Sequence, residues 1–119
     1  MSKIKFSENL TKIGAWTFAY CTSLESIMIP DSVTTMGANI FRECSNLKKV
    51  AIGKNVKTIG GGAFENAGKL SQVILPEGVE TIGAYAFRNC VGLTEIHVPD
   101  SVKEIGDSAF YGCTGLSDL

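Results

Sequence analysis

The sequence predicts an α/β solenoid: stacked coils with a parallel sheet along one face and short helical turns along the other. Three observations predict it. Apolar residues recur every 23 positions through a chain of 119, with no gap anywhere. Each row carries one alternating aliphatic segment, the signature of a short half-buried strand. And no single row is large enough to bury its own apolar side chains, so the rows must stack.

The columns of the repeat define the elements. Ile13, Met36, Ile59, Ile82 and Ile105 share a column, and each is followed by Gly. Phe18, Phe41, Phe64, Phe87 and Phe110 form a second, and Leu24, Leu47, Leu70, Leu93 and Leu116 a third. Cys21, Cys44, Ala67, Cys90 and Cys113 form a fourth. Ile27, Val50, Val73 and Ile96 form a fifth, echoed two places on by Ile29, Ile52, Leu75 and Val98. A fixed period in this range with Leu-x-x-Ile-x-Ile points to leucine-rich repeats. Rows begin near residues 1, 24, 47, 70 and 93, and Leu116–Leu119 opens a partial sixth. One domain, 1–119, follows, uncapped or cut from a longer array.

Within the row from Leu24, Ile27 and Ile29 point to one side of a strand. Pro30 ends it, because proline brings no N–H to a ladder. Asp31-Ser32 reads as a turn, and Val33-Thr-Thr-Met36 as a second short extended segment. The Gly that follows in every row implies either positive φ or close approach of backbone. Residues 38–43 fit one or two turns of helix, with Phe41 and Cys44 three apart on one face. Stacked rows turn each column into a continuous ladder of Phe, Leu or Ile.

These residues resemble a known family. Pro76, Val79, Ile82, Gly83, Ala86, Phe87, Cys90, Leu93, Ile96, Val98 and Pro99 follow the pattern of the BspA-type, or Treponema pallidum-type, leucine-rich repeat. Gly53 for Pro, Ala67 for Cys and Ile40 for Ala are the departures. The resemblance covers the whole chain. It implies a right-handed superhelix with one main parallel sheet, found in long bacterial or protozoan surface proteins linked to adhesion and host-protein binding. A secreted or cell-surface setting within a larger protein is its implication for location.

Composition is that of an ordinary globular domain, 45% hydrophobic with formal net charge −1. The charge is divided unevenly: residues 1–60 hold eight bases against four acids, and residues 61–119 three bases against eight acids. No like-charge run suggests a nucleic-acid partner. No apolar run approaches the ~18 residues of a membrane span, and Met1-Ser-Lys-Ile-Lys-Phe lacks the apolar stretch of a signal peptide.

Chemistry-bearing residues are few. The one histidine, His97, sits in an outward strand column and has no second histidine to work with. The four cysteines fall on the repeat and never form Cys-x-x-Cys, so buried reduced thiols are expected rather than a metal site. Disulfides between adjacent rows, Cys21/Cys44 and Cys90/Cys113, are the alternative. Gly60-Gly61-Gly62 lacks the Lys-Ser/Thr of a phosphate loop. Asn9-Leu-Thr11 matches a glycosylation sequon by pattern alone. The acids occupy outward columns and read as a solvated face. No cofactor, metal or catalytic residue is expected, and the chain reads as a non-enzyme.

Function then belongs to the columns the core leaves free. On the sheet these are Lys3, Ser26, Lys49, Gln72, Glu95 and Asp118, and beside them Lys5, Met28, Ala51, Ile74 and His97. Met28, Ala51 and Ile74 make an apolar stripe with a polar rim, the anatomy of a protein-binding face. Met28, Lys49, Ala51, Gln72, Ile74, Glu95 and His97 are therefore the candidate partner-binding residues. Trp16, Tyr20, Tyr85 and Tyr111, on the predicted helical side, are a second aromatic candidate. A protein-interaction or adhesion module binding an unknown protein is the expected function. The alternative is a scaffold that self-associates through uncapped ends, one basic and one acidic, with Lys3 and Lys5 guarding the first edge. Neither nucleic acid nor membrane insertion is expected.

Overall fold

The computed structural model describes residues 6, 7 and 9–116, so Met1, Lys3, Lys5 and the tail 117–119 lie outside the described residues. Eight short strands appear in chain order: β1 (Lys12–Ile13), β2 (Ser26–Met28), β3 (Thr35–Met36), β4 (Lys49–Ala51), β5 (Thr58–Ile59), β6 (Gln72–Ile74), β7 (Thr81–Ile82) and β8 (Glu104–Ile105). All pairings are parallel, and each matches residues one row apart. Ile27 lies beside Val50 and Val50 beside Val73 in the sheet β2–β4–β6. The second extended segment of each row forms two further sheets, β1–β3 and β5–β7–β8. Among the described residues both strand positions read from the sequence are occupied, except that residues 95–97 of the fifth row form no strand; the first row's residues 3–5 lie outside the described residues.

The predicted helical turns are absent. Between the glycine and the cysteine of each row the chain makes no helix among the described residues. Half of its N–H groups close tight turns and half cross to the next row. Thr17, Ala19 and Cys21 donate to Gly14, Trp16 and Phe18 three residues back, whereas Trp16, Phe18 and Tyr20 donate to Ala38, Ile40 and Arg42. The same interleaving repeats down the stack, with Phe41 donating to Ala63 at 2.8 Å and Phe64 to Ala86 at 2.7 Å. It requires two left-handed residues per row. Trp16 and Tyr20 take φ of 65° and 63°, Asn39 and Glu43 57° and 62°, and Tyr85 and Asn89 61° each. A helix would send every N–H to its own row and leave the rows unjoined on this side.

The recurrent glycine is explained by close approach, not by positive φ. A Cβ on Gly37 or Gly106 would fall on the backbone nitrogen of Ala15 or Ala84 in the preceding row, and one on Gly83 would lie 2.6 Å from Gly61 N. Gly62 is a different case: it occupies a left-handed position at φ +63°.

The Phe column is the spine. Rings of Phe18, Phe41, Phe64, Phe87 and Phe110 stack face to face with centroids 5.6, 5.3, 5.1 and 5.3 Å apart. Phe6 caps Phe18 edge-on at 5.8 Å. Phe41, Phe64 and Phe87 are fully buried, as are Leu24, Leu47, Leu70 and Leu93, while Phe18, Phe110 and Leu116 are half-buried at the outer rows. Removing Phe64 leaves a cavity walled by two rings, so Phe64→Ala is expected to cost about 3–5 kcal/mol. Gly83→Ala is expected to cost about 1–3 kcal/mol by forcing rows apart. Urea denaturation of the two variants against the parent checks both.

Candidate functional site: the sheet groove and the turn face

The strand columns place their outward residues as a flat face on β2–β4–β6. Met28 and Ile74 are its apolar prominences, 71% and 56% exposed. Ala51 lies between them, half-covered. Beyond β6 the face breaks. Residues 95–97 draw away from β6, and an open groove of about 580 Å³ lies between. Lys49, Gln72 and Ile74 form one wall, and Glu95, Ile96 and His97 the other. Five of the seven candidate residues therefore meet in one groove. Met28 and Ala51 border a shallower depression of about 290 Å³ with Pro30, Asp31 and Gly53. His97 Nε2 lies 3.3 Å from Glu77 Oε2, with both side chains about three-quarters exposed, so this pair contributes little to stability.

The opposite, turn face holds a polar array that sequence reasoning missed. Glu65, expected among solvated acids, is buried at 5% exposure. Its Oε1 accepts from Arg42 Nη1 at 3.0 Å, and its Oε2 lies 3.5 Å from Arg88 Nη1. Arg42 also covers the Trp16 ring at 5.8 Å, and Arg88 sits between the Tyr85 and Tyr111 rings at 5.4 and 5.6 Å. The left-handed column adds an amide ladder, in which Asn89 donates to Asn66 at 2.9 Å and Asn66 donates to Glu43. Trp16 and Tyr20 stack with planes 5° apart. The signal was present: Arg42, Glu65 and Arg88 occupy one column in successive rows, so opposite charges must fall next to one another.

All four cysteines are free. Cys44, Cys90 and Cys113 are buried, but Cys21, expected to be buried, is partly exposed because it lies in the first row. The thiols are more than small apolar groups. Cys44, Cys90 and Cys113 donate to the carbonyls of Phe18, Phe64 and Phe87 in the preceding row at 3.0, 3.1 and 2.9 Å. Burial raises the Cys44 pKa from 9.0 to about 11. The neighbouring Cys113 thiol, together with burial, holds Cys90 well above its ordinary range.

The repeat model for the BspA type leucine rich repeat region matches residues 1–117 in six copies. The chain belongs to this family. The six copies compare with five full rows and a partial sixth counted from the columns. A T. pallidum leucine-rich repeat protein is similar at 30% identity and TM-score 0.88, over 91% of this chain and 50% of that one. A Bacteroides ovatus leucine-rich repeat protein is similar at 31% identity and TM-score 0.73, over 97% and 36%. A Faecalibacterium prausnitzii leucine rich cell surface protein is similar at 25% identity and TM-score 0.52, over 98% and 46%. The chain thus spans half or less of the length of these relatives. Among curated protein sequences, none matches.

Two outcomes follow from this geometry. Glu65→Ala strands two arginines beside a vacated site, and the arginines, 32% and 40% exposed, recover part of their hydration. A loss of about 1–3 kcal/mol is expected by chemical denaturation. The raised Cys44 pKa means the native state holds a proton that the unfolded state releases earlier. Its contribution to stability is whole below pH 9 and is lost as pH rises through about 11. In the native chain at pH 8, Cys44 and Cys90 are expected to resist alkylation, and unfolding is expected to expose all four thiols to it.

Proposed function

We propose that the chain is a non-enzymatic protein-binding module that presents the β2–β4–β6 face to a partner. The observation that carries this reading is the groove beside β6, flanked by exposed Ile74 and rimmed by Lys49, Glu95 and His97, with exposed Met28 farther along the same face. Exposed aliphatic side chains gain apolar cover on contact, and the charged rim supplies selectivity. The titratable pair at the groove, His97 with Glu77, is solvent-bathed on both sides. Such a pair suits recognition better than proton transfer, which gains from a desolvated site. Adhesion at a bacterial cell surface, as part of a longer protein, is the biological role proposed. The family and a relative described as a cell surface protein support it.

A second reading, stacking of copies through the ends, has its own support. The turn-side ladder is polar: in every row its cross-row N–H groups point to the following row and its acceptor carbonyls to the preceding one. The fifth row turns the N–H groups of Ser108, Phe110 and Gly112 toward the position a sixth would take, and Ile105 is 52% exposed there. Sedimentation across salt concentrations tests it. A monomer at high protein and low salt removes this reading.

The face is tested by the double variant Met28→Asp/Ile74→Asp. Both positions are exposed, so folding stability is expected to fall by about 1 kcal/mol or less per site, the cost of Asp in a strand. Proteins captured by the immobilised parent chain are expected to be lost from the variant. Equal capture by both, at equal stability, would place binding elsewhere.

A further inference from the structure

We propose that the groove beside β6 accepts an extended peptide segment, which adds to the free edge of β6 as a strand. This rests on the sheet face being the binding surface. The argument begins with backbone groups. At one end of the sheet, Lys48 N–H donates to Glu25 C=O at 2.8 Å and Ser71 N–H to Lys48 C=O at 3.0 Å. At the other end, Ile29 N–H donates to Ala51 C=O at 2.8 Å and Ile52 N–H to Ile74 C=O at 3.0 Å. The next member of each series would join Thr94 N–H to Ser71 C=O and Leu75 N–H to His97 C=O. Neither bond is made, and β6 is the last strand of its sheet among the described residues.

Row five is nevertheless fixed on both sides of the break. Gly92 N–H donates to Gly68 C=O at 3.0 Å. Further along, Ser101 Oγ donates to Val79 C=O at 2.6 Å, and Lys103 N–H to Glu80 C=O at 2.8 Å. Residues 94–98 therefore run unpaired between two anchored points, and the groove opens along one side of β6 only. Its inner wall carries backbone acceptors and donors at strand spacing, between Ser71 C=O and Leu75 N–H. The ligand that satisfies such a wall is another extended backbone.

The side chains define that backbone further. Val50 and Ile52, which have strands on both sides, are buried to 0% and 6% exposure. Ile96 and Val98, their counterparts in row five, are only partly buried. Val73 and Leu75 thus meet row five across an apolar margin that Ile96 and Val98 leave only partly covered. An occupant with aliphatic residues at alternate positions covers this margin while pairing with β6. That is the pattern of the protein's own Ile27-Met28-Ile29. The competing occupant is residues 94–98 themselves, closing onto β6.

The test uses the ¹⁵N-labelled chain and a capped hexapeptide, Glu-Ser-Ile-Met-Ile-Pro, copying residues 25–30. Two edge-blocked forms accompany it: one N-methylated at the Ser and Met amides, the other at the two Ile amides. A strand pairs through one edge, so one blocked form is expected to bind like the parent peptide and the other at least ten-fold more weakly. Amide shifts are expected to centre on residues 71–75, and exchange of the Leu75 N–H, fast in the free chain, is expected to slow on binding. Absence of binding, or equal affinity for both blocked forms, would overturn the proposal. So would a Leu75 amide already protected without peptide, since residues 94–98 would then fill the groove. Capture that is still lost in Met28→Asp/Ile74→Asp, alongside a failed peptide titration, would sink strand addition and leave the face as the binding surface.

Discussion

Everything in this fold depends on rows of equal length stacking in strict register, because every row obtains backbone partners and apolar cover from its neighbours. Strand pairing shows the register residue by residue, Ser26 over Lys49 over Gln72 and Thr58 over Thr81 over Glu104. The Phe spine shows the same spacing in side chains, with rings held near 5.1–5.6 Å. That is close to the ~4.8 Å between neighbouring strands. Side-chain stacking and backbone pairing therefore demand the same rise per coil, and neither strains the other. An insertion of one residue in any row would displace both ladders together.

The turn face follows from that rise. A helix has a diameter of about 10 Å with its side chains, twice the spacing that the sheets and rings impose, so helices cannot stack here. The chain instead alternates tight turns with cross-row bonds, which keeps this side as thin as the strands. The cost is two left-handed residues per row, borne by Trp16, Tyr20, Glu43 and Tyr85 as well as by asparagine and glycine. The residues best suited to that conformation, Asn and Gly, do fill five of the ten positions, Asn39, Gly62, Asn66, Asn89 and Gly112, and Asn66 and Asn89 add the amide bonds of the ladder.

What could be read from the sequence divides along the same line. The columns of Phe, Leu, Ile and Val declared the core, because burial in a stacked array makes equivalent positions apolar. Both strands per row were legible for the same reason. The helix was misread because Phe41 and Cys44, three apart, share a face in a helix and equally in this turn. The recurrence of Asn and Gly in two columns was the discriminating signal. Glu65 was misread because an acid in an outward column is ordinarily solvated. Here Arg42 and Arg88 stand one coil to either side, and the coil spacing makes them contacts. The groove was not legible at all. Glu95-Ile96-His97 satisfies the strand pattern as well as Lys49-Val50-Ala51 does, and only the missing bonds to Ser71 and Leu75 tell them apart.

That last difference also separates the two faces in kind. On the turn face most polar groups are answered from within: Glu65 by two arginines, the arginines by three aromatic rings, Asn66 by Glu43 and Asn89, while Arg42 Nε and Arg88 Nε are buried without a hydrogen-bond partner. A partner there would meet rings already engaged with one another or with the arginines, although Trp16, Tyr20 and Tyr111 remain exposed. On the sheet face, the outward side chains of Met28 and Ile74 have no apolar cover, and the edge of β6 holds backbone groups with no strand beside them. Unanswered backbone and uncovered apolar surface gain the most from a partner, because binding supplies contacts without first breaking any. The face with an unpaired strand edge is accordingly the one proposed to bind.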